Sequence, residues 1–502
     1  MTAEVPTARL LAAMGESVLH GPLPPAVTGI SYDSRRVAPG DLFVAVSGLR
    51  QDGRRFIADA LAAGAVAIVA ESTDPLPGSS TSRVVVPSVR AALARLADAF
   101  HGHPSGALTM VGITGTSGKT TTCFLADALL RAGGHATGML GTIEYRIGDE
   151  VVPAGQTTPE AVELQAMLAR MRASGVTAAS MEVSSHALAM HRVEGVAFDV
   201  VVFTNLSQDH LDFHVTFEEY ERAKRRLFEL AAAGEKRATA VVNADDPVGP
   251  RMVAGLGLRA LTFGLAEGAG VRPIDREVRG DGTRLRVATP VGPVAIESRL
   301  VGEHNVSNLL AAVGVGVALG IAPDRIGAGL GRLAGVPGRF ERVEAGQPFL
   351  VVVDYAHKPD ALDRVLQTAR KLVDHRGRLG VVFGCGGDRD RGKRPIMGEI
   401  AARLADRVWV TSDNPRTERP EAIVAEIAAG VARAGAPADR HVLEPDRRAA
   451  IADAIGWARA GDVVLIAGKG HETYQVVGAS VLPFDDRAEA RQALAARGFD
   501  AR

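Results

Sequence analysis

The run Leu108-Thr-Met-Val-Gly-Ile-Thr-Gly-Thr-Ser-Gly-Lys-Thr120 decides the fold. Its first residues read as a short buried strand, its middle as a glycine-rich loop, and Thr121 to about Ala132 as a helix. Strand, loop and helix in that order open a nucleotide-binding α/β domain. Backbone amides at Gly115, Thr116, Ser117, Gly118 and Thr121, with the helix N-terminus, can hold phosphates. Lys119 can reach the terminal phosphates, and the Thr120 hydroxyl can bind Mg²⁺. The strict phosphate-loop spacing wants glycine where Ile113 stands, so the loop is a variant.

Working outward, 502 residues suffice for about three domains. Two Gly/Pro seams, His101 to Gly106 and Gly335 to Gly338, set the expected boundaries. These are a small N-terminal α/β domain over 1–105, a central phosphate-loop ATPase domain over 106–337, and a C-terminal Rossmann-like domain over 338–502. The 57 basic residues nearly balance the 58 acidic ones, which argues against a nucleic-acid partner. No apolar run reaches the length of a membrane span, and the first residues do not read as a signal peptide. Two distant cysteines, Cys123 and Cys385, fit a reducing cytoplasm.

Only seven of the 57 basic residues are lysines: 119, 224, 236, 358, 371, 393 and 469. A chain that uses arginine by default keeps lysine mainly where an amine does what a guanidinium cannot. Lys224 lies on the apolar stripe of a helix opened by Thr216 and Glu219, together with Phe217, Tyr220, Leu227 and Phe228. Two readings stand level. The stem lies on apolar surface with its head snorkelling to water, or a desolvated amine takes up CO₂ and becomes an anionic carbamate ligand.

In the C-terminal part, four strand-like runs end in polar tips: Asp354 to His357, Gly384 to Arg389, Asp413 to Arg416, and Gly468 to Glu472. In an open parallel sheet such tips converge on one crevice. Arg416 offers a planar fork for a carboxylate beside acceptors for an ammonium group, although Asp-Asn-Pro also makes turns. In the central part, Glu182 ends a strand, where a second Mg²⁺ ligand would be needed or where a carboxylate is simply solvated. The run Thr204 to His214 concentrates acceptors and imidazoles, suiting an ion site or turn capping. His304 to Asn308 opens a helix and reads as a purine contact or as a cap.

Together these runs resemble the Mur ligase family, from Asp33-Ser-Arg35 to Asp485-Asp-Arg487, nearly the whole chain. The Asp413-Asn-Pro-Arg416 run resembles that of the diaminopimelate-adding members. The resemblance implies an ATP-dependent ligase of peptidoglycan precursor synthesis, working through an acyl phosphate and acting as a monomer. The side-chain carboxylate of glutamate in a UDP-muramoyl dipeptide would be phosphorylated and then attacked by the amine of meso-diaminopimelate. By the same resemblance, Ser34 and the Gly48 to Gly53 loop hold the uridine nucleotide. Thr157, Thr158, Ser184, Met190 and Arg192 face the muramoyl peptide, with Met190 standing where some relatives carry Gln. Arg389, Asp413, Asn414, Pro415, Arg416, Gly468 and Glu472 receive diaminopimelate. Thr120, Glu182, His210 and carbamylated Lys224 manage two Mg²⁺ ions, and Asn305, Arg339, Asp354 and His357 contact ATP. Lys119 and Arg339 neutralise charge on the transferring phosphoryl group. Domain closure is expected, because the phosphate loop and the amine pocket lie in different segments. Two alternatives remain: a folylpolyglutamate synthase-like ligase, which shares the variant loop, and a phosphate-loop nucleotide switch without ligase activity.

Overall fold

A computed structural model describes residues 4–48, 52–71, 82–207, 209, 211–373 and 376–499. The chain divides into two compact units. The first comprises Met1–Ile274, Arg286–Ala295 and Ser307–Leu330; the second comprises Asp275–Leu285, Ile296–Val306 and Gly331–Arg502.

The first unit carries two larger sheets beside the short pair Val5–Pro6 and Ala26–Val27. The five-stranded one runs Val18–His20, Ser82–Val85, Ala67–Ala70, Asp41–Val44, Gly29–Ser31, parallel except for its first pair. Helix Val89–Phe100, started by the Ser88 hydroxyl accepting from Ala91 N–H, packs Leu93 and Leu96 into the same apolar cluster as Leu42, Val44 and Val69.

The second sheet has eight strands, with Thr109–Thr114 near its middle. Ala178–Glu182 pairs with it on one side and Val200–Phe203 on the other, both parallel. Met110, Val111 and Ile113 are fully buried, as a parallel strand covered on both faces requires. Ile113 therefore belongs to the strand, and the phosphate loop starts after it. Helix Lys119–Ala132 then buries Cys123, Leu125, Leu129 and Leu130. Glu182 and the loop thus stand at the carboxyl ends of neighbouring parallel strands, where open sheets bind ligands.

The second unit is built on a six-stranded sheet ordered Glu341–Arg342, Leu350–Asp354, Val463–Ala467, Leu379–Phe383, Arg407–Val410, His441–Leu443. All but the first are parallel. Apolar clusters cover both faces, one around Leu362, Met397 and Ile427 and the other around Trp409, Ile451 and Leu494. The four expected strands are present, so their polar tips share one sheet edge. Arg447 and Asp486, both buried, lock that edge from behind. The guanidinium makes two bonds to the carboxylate at 2.7 Å and also donates to the carbonyls of Ser412 (3.2 Å) and Ala467 (2.9 Å). Those carbonyls immediately precede Asp413 and Gly468, so one buried cation ties two tips across the strand between them.

Candidate active site

In the first unit the phosphate loop is held by residues that follow strand Val200–Phe203. Thr204 Oγ1 donates to the Ser117 carbonyl at 2.7 Å, and Asn205 both accepts from Ser117 N–H and donates to its carbonyl at 3.0 Å. The run Thr204 to His214 is therefore partly a brace for the loop. His210, expected there as a metal ligand, lies outside the described residues, as do residues 49–51 of the expected uridine loop. Gly118 adopts φ +84°, and a β-carbon there would stand 2.5 Å from Asn308 Oδ1, so glycine is required at that turn. Lys119 folds back on the loop, its Nζ donating to the carbonyls of Gly115 (2.8 Å) and Thr116 (3.0 Å).

Glu182 is the hub beside it. Its carboxylate accepts from Thr120 Oγ1 at 3.0 Å, from Thr142 N–H at 2.7 Å and from Thr142 Oγ1 at 3.0 Å. The Thr142 hydroxyl also meets that of Thr157 at 3.1 Å. Thr158 Oγ1 donates to the Glu182 carbonyl at 2.8 Å and accepts from Ser184 N–H at 3.1 Å. Arg192 closes the group by donating to the Thr158 carbonyl at 3.0 Å and pairing with Glu160 at 2.5 Å. Of the residues expected to face Mg²⁺, Thr120 and Glu182 are thereby brought together with Thr157, Thr158, Ser184 and Arg192 of the expected peptide contacts. Met190 Sδ lies 3.7 Å from Arg192 Nη2, a contact in which the thioether is a weak acceptor. Thr142 was missed. It follows strand Thr137–Leu140, and the glycine before it leaves room for the carboxylate: a β-carbon on Gly141 would stand 2.7 Å from Glu182 Oε1.

Lys224 is 1% exposed on helix Phe217–Ala233, whose Thr216 hydroxyl accepts from Glu219 N–H as expected of a cap. Its Nζ donates to the Gly115 carbonyl at 2.7 Å and sits 4.5 Å from the centre of the Tyr220 ring. The head group is as buried as the stem, which overturns the snorkelling reading: the helix stripe aims the side chain inward beneath the phosphate loop. Burial, and next the charge of Lys119, hold the amine well below the usual lysine pKa, with Asp209 opposing.

Ser34 stands apart from this group. It lies in a short turn, Ser34–Arg36, where Asp33 accepts from Arg35 N–H at 3.1 Å and pairs with the Arg35 guanidinium at 2.7 Å.

In the second unit, Asp354 accepts from the backbone N–H groups of Phe340 (2.7 Å) and Ala356 (2.8 Å). Burial raises its pKa, while Arg339, whose guanidinium lies 4.9 Å over the Tyr355 ring, acts against the rise. His357 Nδ1 is 2.8 Å from the Tyr355 carbonyl, and burial pushes its pKa down to about 4. Asn305 donates to the Val301 carbonyl at 2.8 Å, inside the start of helix Glu303–Ala318.

The remaining tips meet as the sheet rule requires. Gly468 N–H donates to the Asp354 carbonyl at 3.0 Å, and Gly387 N–H to the Asn414 carbonyl at 2.9 Å, next to Pro415. Arg416 has φ +52°, unusual outside glycine. The conformation is held by backbone bonds to Val476 (3.0 Å) and Gly478 (2.7 Å), and Nη1 donates to the Gly387 carbonyl at 2.7 Å. Arg389 and Arg416 both flank Gly386. The expected ammonium acceptors are already engaged. Asn414 Nδ2 donates to Glu472 Oε2 at 2.9 Å, and the buried Lys469 donates to Asn414 Oδ1 at 3.2 Å and to Glu472 Oε2 at 3.0 Å. Lys469 stood out in the lysine count but was given no place in the site.

The sequence matches the Mur ligase family catalytic domain over residues 26–101, the Mur ligase middle domain over 113–316, and the Mur ligase glutamate ligase domain over 338–470. A curated relative from Solibacter usitatus (strain Ellin6076), named UDP-N-acetylmuramoyl-L-alanyl-D-glutamate--2,6-diaminopimelate ligase, is 48% identical over 473 residues, covering 94% of each chain. A solved structure of a ligase with that name is 36% identical and superposes with a TM-score of 0.69, covering 94% of this chain and 96% of its own. A folylpolyglutamate synthase from Mycobacterium tuberculosis, at 21% identity and a TM-score of 0.60 over 81% of this chain and 95% of its own, shares the fold alone. With the three family domains matched in order along the sequence and a relative 48% identical over 94% of each chain, this chain belongs to the Mur ligase family.

Proposed function

We propose that this protein is the ATP-dependent ligase that adds meso-2,6-diaminopimelate to UDP-N-acetylmuramoyl-L-alanyl-D-glutamate in peptidoglycan precursor synthesis. The observation that carries the reading is the relative of that name, matched at 48% identity over nearly the full length of both chains. The Asp413 to Arg416 tip, set beside Glu472, supports it. The folylpolyglutamate synthase-like alternative is not favoured, since the likeness there is to the fold only.

A carboxylate is a poor electrophile, and phosphorylation by ATP turns it into an acyl phosphate that an amine attacks with loss of phosphate. In the first unit the loop amides and Lys119 would bind and orient the phosphates. Thr157, Thr158, Ser184 and Arg192 would place the peptide carboxylate near the loop, through the hydroxyl network around Glu182. In the second unit, Asn305, Arg339, Asp354 and His357 are proposed to contact ATP, with Arg339 countering phosphoryl charge. Arg389, Arg416, Gly468 and Glu472 would receive the amino acid, together with Asp413, Asn414 and Pro415. Ser34 is assigned to the uridine nucleotide. The domain limits 1–105, 106–337 and 338–502 are proposed in the same spirit, since each of the three family matches falls within one of them.

Among the described residues no group of three or more His, Cys, Asp or Glu side chains forms a metal cage. The Thr120 hydroxyl and the Glu182 carboxylate, 3.0 Å apart, are nevertheless hard oxygen donors of the kind that hold Mg²⁺ when phosphates complete the shell. Bound there, Mg²⁺ would neutralise charge on the phosphates. Carbamylated Lys224 and His210 are proposed as further ligands. Burial of Lys224 supports the carbamate, because an amine kept from ionising remains nucleophilic toward CO₂.

Among the described residues no helix is long and apolar enough to cross a membrane. The two free cysteines are buried, which fits the proposed cytoplasmic location. The decisive experiment is an ADP-release assay with the UDP-muramoyl dipeptide, comparing meso-diaminopimelate, L-lysine and no amine. Release that depends on diaminopimelate supports the reading, whereas release independent of any amine points to a nucleotide switch.

A further inference from the structure

We infer that Lys469 is a positioning residue for amino-acid recognition, an ammonium clamp that orients Asn414 and Glu472 and cancels one of the two carboxylate charges lining their pocket. The inference rests on the ligase reading above. Lys469 is fully buried, and its Nζ faces three acceptors from two strand tips: Asn414 Oδ1 at 3.2 Å, Glu472 Oε2 at 3.0 Å and, more distantly, Asp413 Oδ1 at 3.9 Å. Two hydrogen-bond acceptors with a second carboxylate just beyond them suit the compact charge of an ammonium. A planar guanidinium presents its donors as a fork and needs more room. Here an arginine-rich chain has kept a lysine.

The clamp settles two orientations. Asn414 Oδ1 accepts from Lys469 and from Val476 N–H at 2.9 Å, so its Nδ2 must be the end that donates to Glu472. Glu472 Oε2 then receives both Asn414 and Lys469, which turns Oε1 into the oxygen left to meet an incoming ammonium. The charges follow the same logic. Asp413 and Glu472 together carry two negative charges, Lys469 cancels one, and the remainder matches a single substrate ammonium. Arg389 and Arg416, flanking Gly386, provide for the substrate carboxylate. The pocket is thus complementary to the zwitterionic end of an amino acid, with Lys469 setting its acidic half without touching the substrate.

The test is steady-state kinetics of the full-length protein. Lys469→Met and Lys469→Arg should each raise KM for diaminopimelate by about tenfold or more, as expected when a charge-assisted network is broken, while KM for ATP stays within about twofold. Ethylammonium added to Lys469→Ala should lower KM for diaminopimelate again by filling the vacated position. A double-mutant cycle with Asn414→Ala should be non-additive, the pair of changes costing little more than the worse single change. An unchanged KM for diaminopimelate in Lys469→Met, a parallel rise in KM for ATP, or strict additivity in the cycle would each overturn the role. If the methionine variant does not fold, the arginine variant and the cycle still decide. Failure of the ligase reading itself would look different, because the wild-type protein would then release no ADP in response to diaminopimelate.

Discussion

Lys224 and Lys469 are both buried lysines near strand tips, yet their surroundings differ in kind. Lys224 faces a backbone carbonyl, an aromatic ring and another lysine, with Asp209 as the opposing charge. Lys469 faces an amide oxygen and two carboxylates. Burial is common to both, so burial alone does not define a lysine's work. With little to stabilise its charge, the first is suited to covalent chemistry as a neutral amine. The second is matched by opposite charges and suited to holding geometry.

The largest effect that can break this comparison is at Lys224. Lys224→Ala should be nearly inactive, down on the order of a thousandfold, as when a group stabilising charge in the transition state is removed. Added formate or acetate should partly restore turnover by taking the place of the proposed carbamate. Lys224→Arg should be inactive too, because a guanidinium keeps its charge and cannot carbamylate. Full activity in the arginine variant, or an unmodified lysine mass in fully active protein, would return Lys224 to the role of a buried hydrogen-bond donor.

A second expected effect concerns the brace behind the amine pocket. Asp486→Ala leaves the Arg447 guanidinium buried without its carboxylate, and removing one partner of a buried pair costs about 3–5 kcal/mol. Denaturant unfolding should show a loss of that size. Replacing both residues with apolar ones should recover part of the stability while leaving the Ser412 and Ala467 carbonyls unheld. A double variant with wild-type affinity for diaminopimelate would show that the brace serves folding only.

Arg416 should govern selection between amines. L-Lysine lacks the distal carboxylate of diaminopimelate and would leave the guanidinium unmatched, a penalty of roughly 2–3 kcal/mol or about a hundredfold in preference. Arg416→Ala should erase most of that preference in competition assays. If the preference survives, Arg389 is the carboxylate partner instead.

The smallest effect is acid sensitivity of the second unit. Burial pushes His357 and His471 down to about 4, the latter helped by Arg339 and Arg487. In the unfolded chain these imidazoles return to the ordinary range near 6.5 and bind protons more readily there. Stability contributed by keeping them neutral is therefore complete above about pH 6.5 and is lost as pH falls toward 4. Thermal unfolding between pH 7 and 4 should show the loss, and His471→Gln should flatten it. An unchanged slope in that variant would remove His471 from the account.

Much of this was legible beforehand. Four strand runs and their tips were read from short apolar runs ending in polar or Gly-rich residues, and the parallel sheet then places such tips side by side whatever their separation in the chain. Thr142 escaped because its importance lies in reaching Glu182, which sits on a strand forty residues later. Asn305 reads in the sequence as a purine contact or as part of a helix cap, and in the fold its amide donates to the Val301 carbonyl four residues earlier. Local sequence does not say where a short polar side chain finds its nearest acceptor.

The sequence by itself determined that a strand leads into a phosphate loop, that arginine is the default cation and each lysine an exception, and that Lys224 lies on an apolar helix face. Periodicity is enough for that, because it depends only on neighbours along one element. Only the tertiary structure decided that the head of Lys224 is buried under Gly115 instead of reaching water, and that Lys469 holds Asn414 and Glu472 together. Those outcomes depend on where a long flexible side chain ends and on which distant groups meet it there, which packing alone sets.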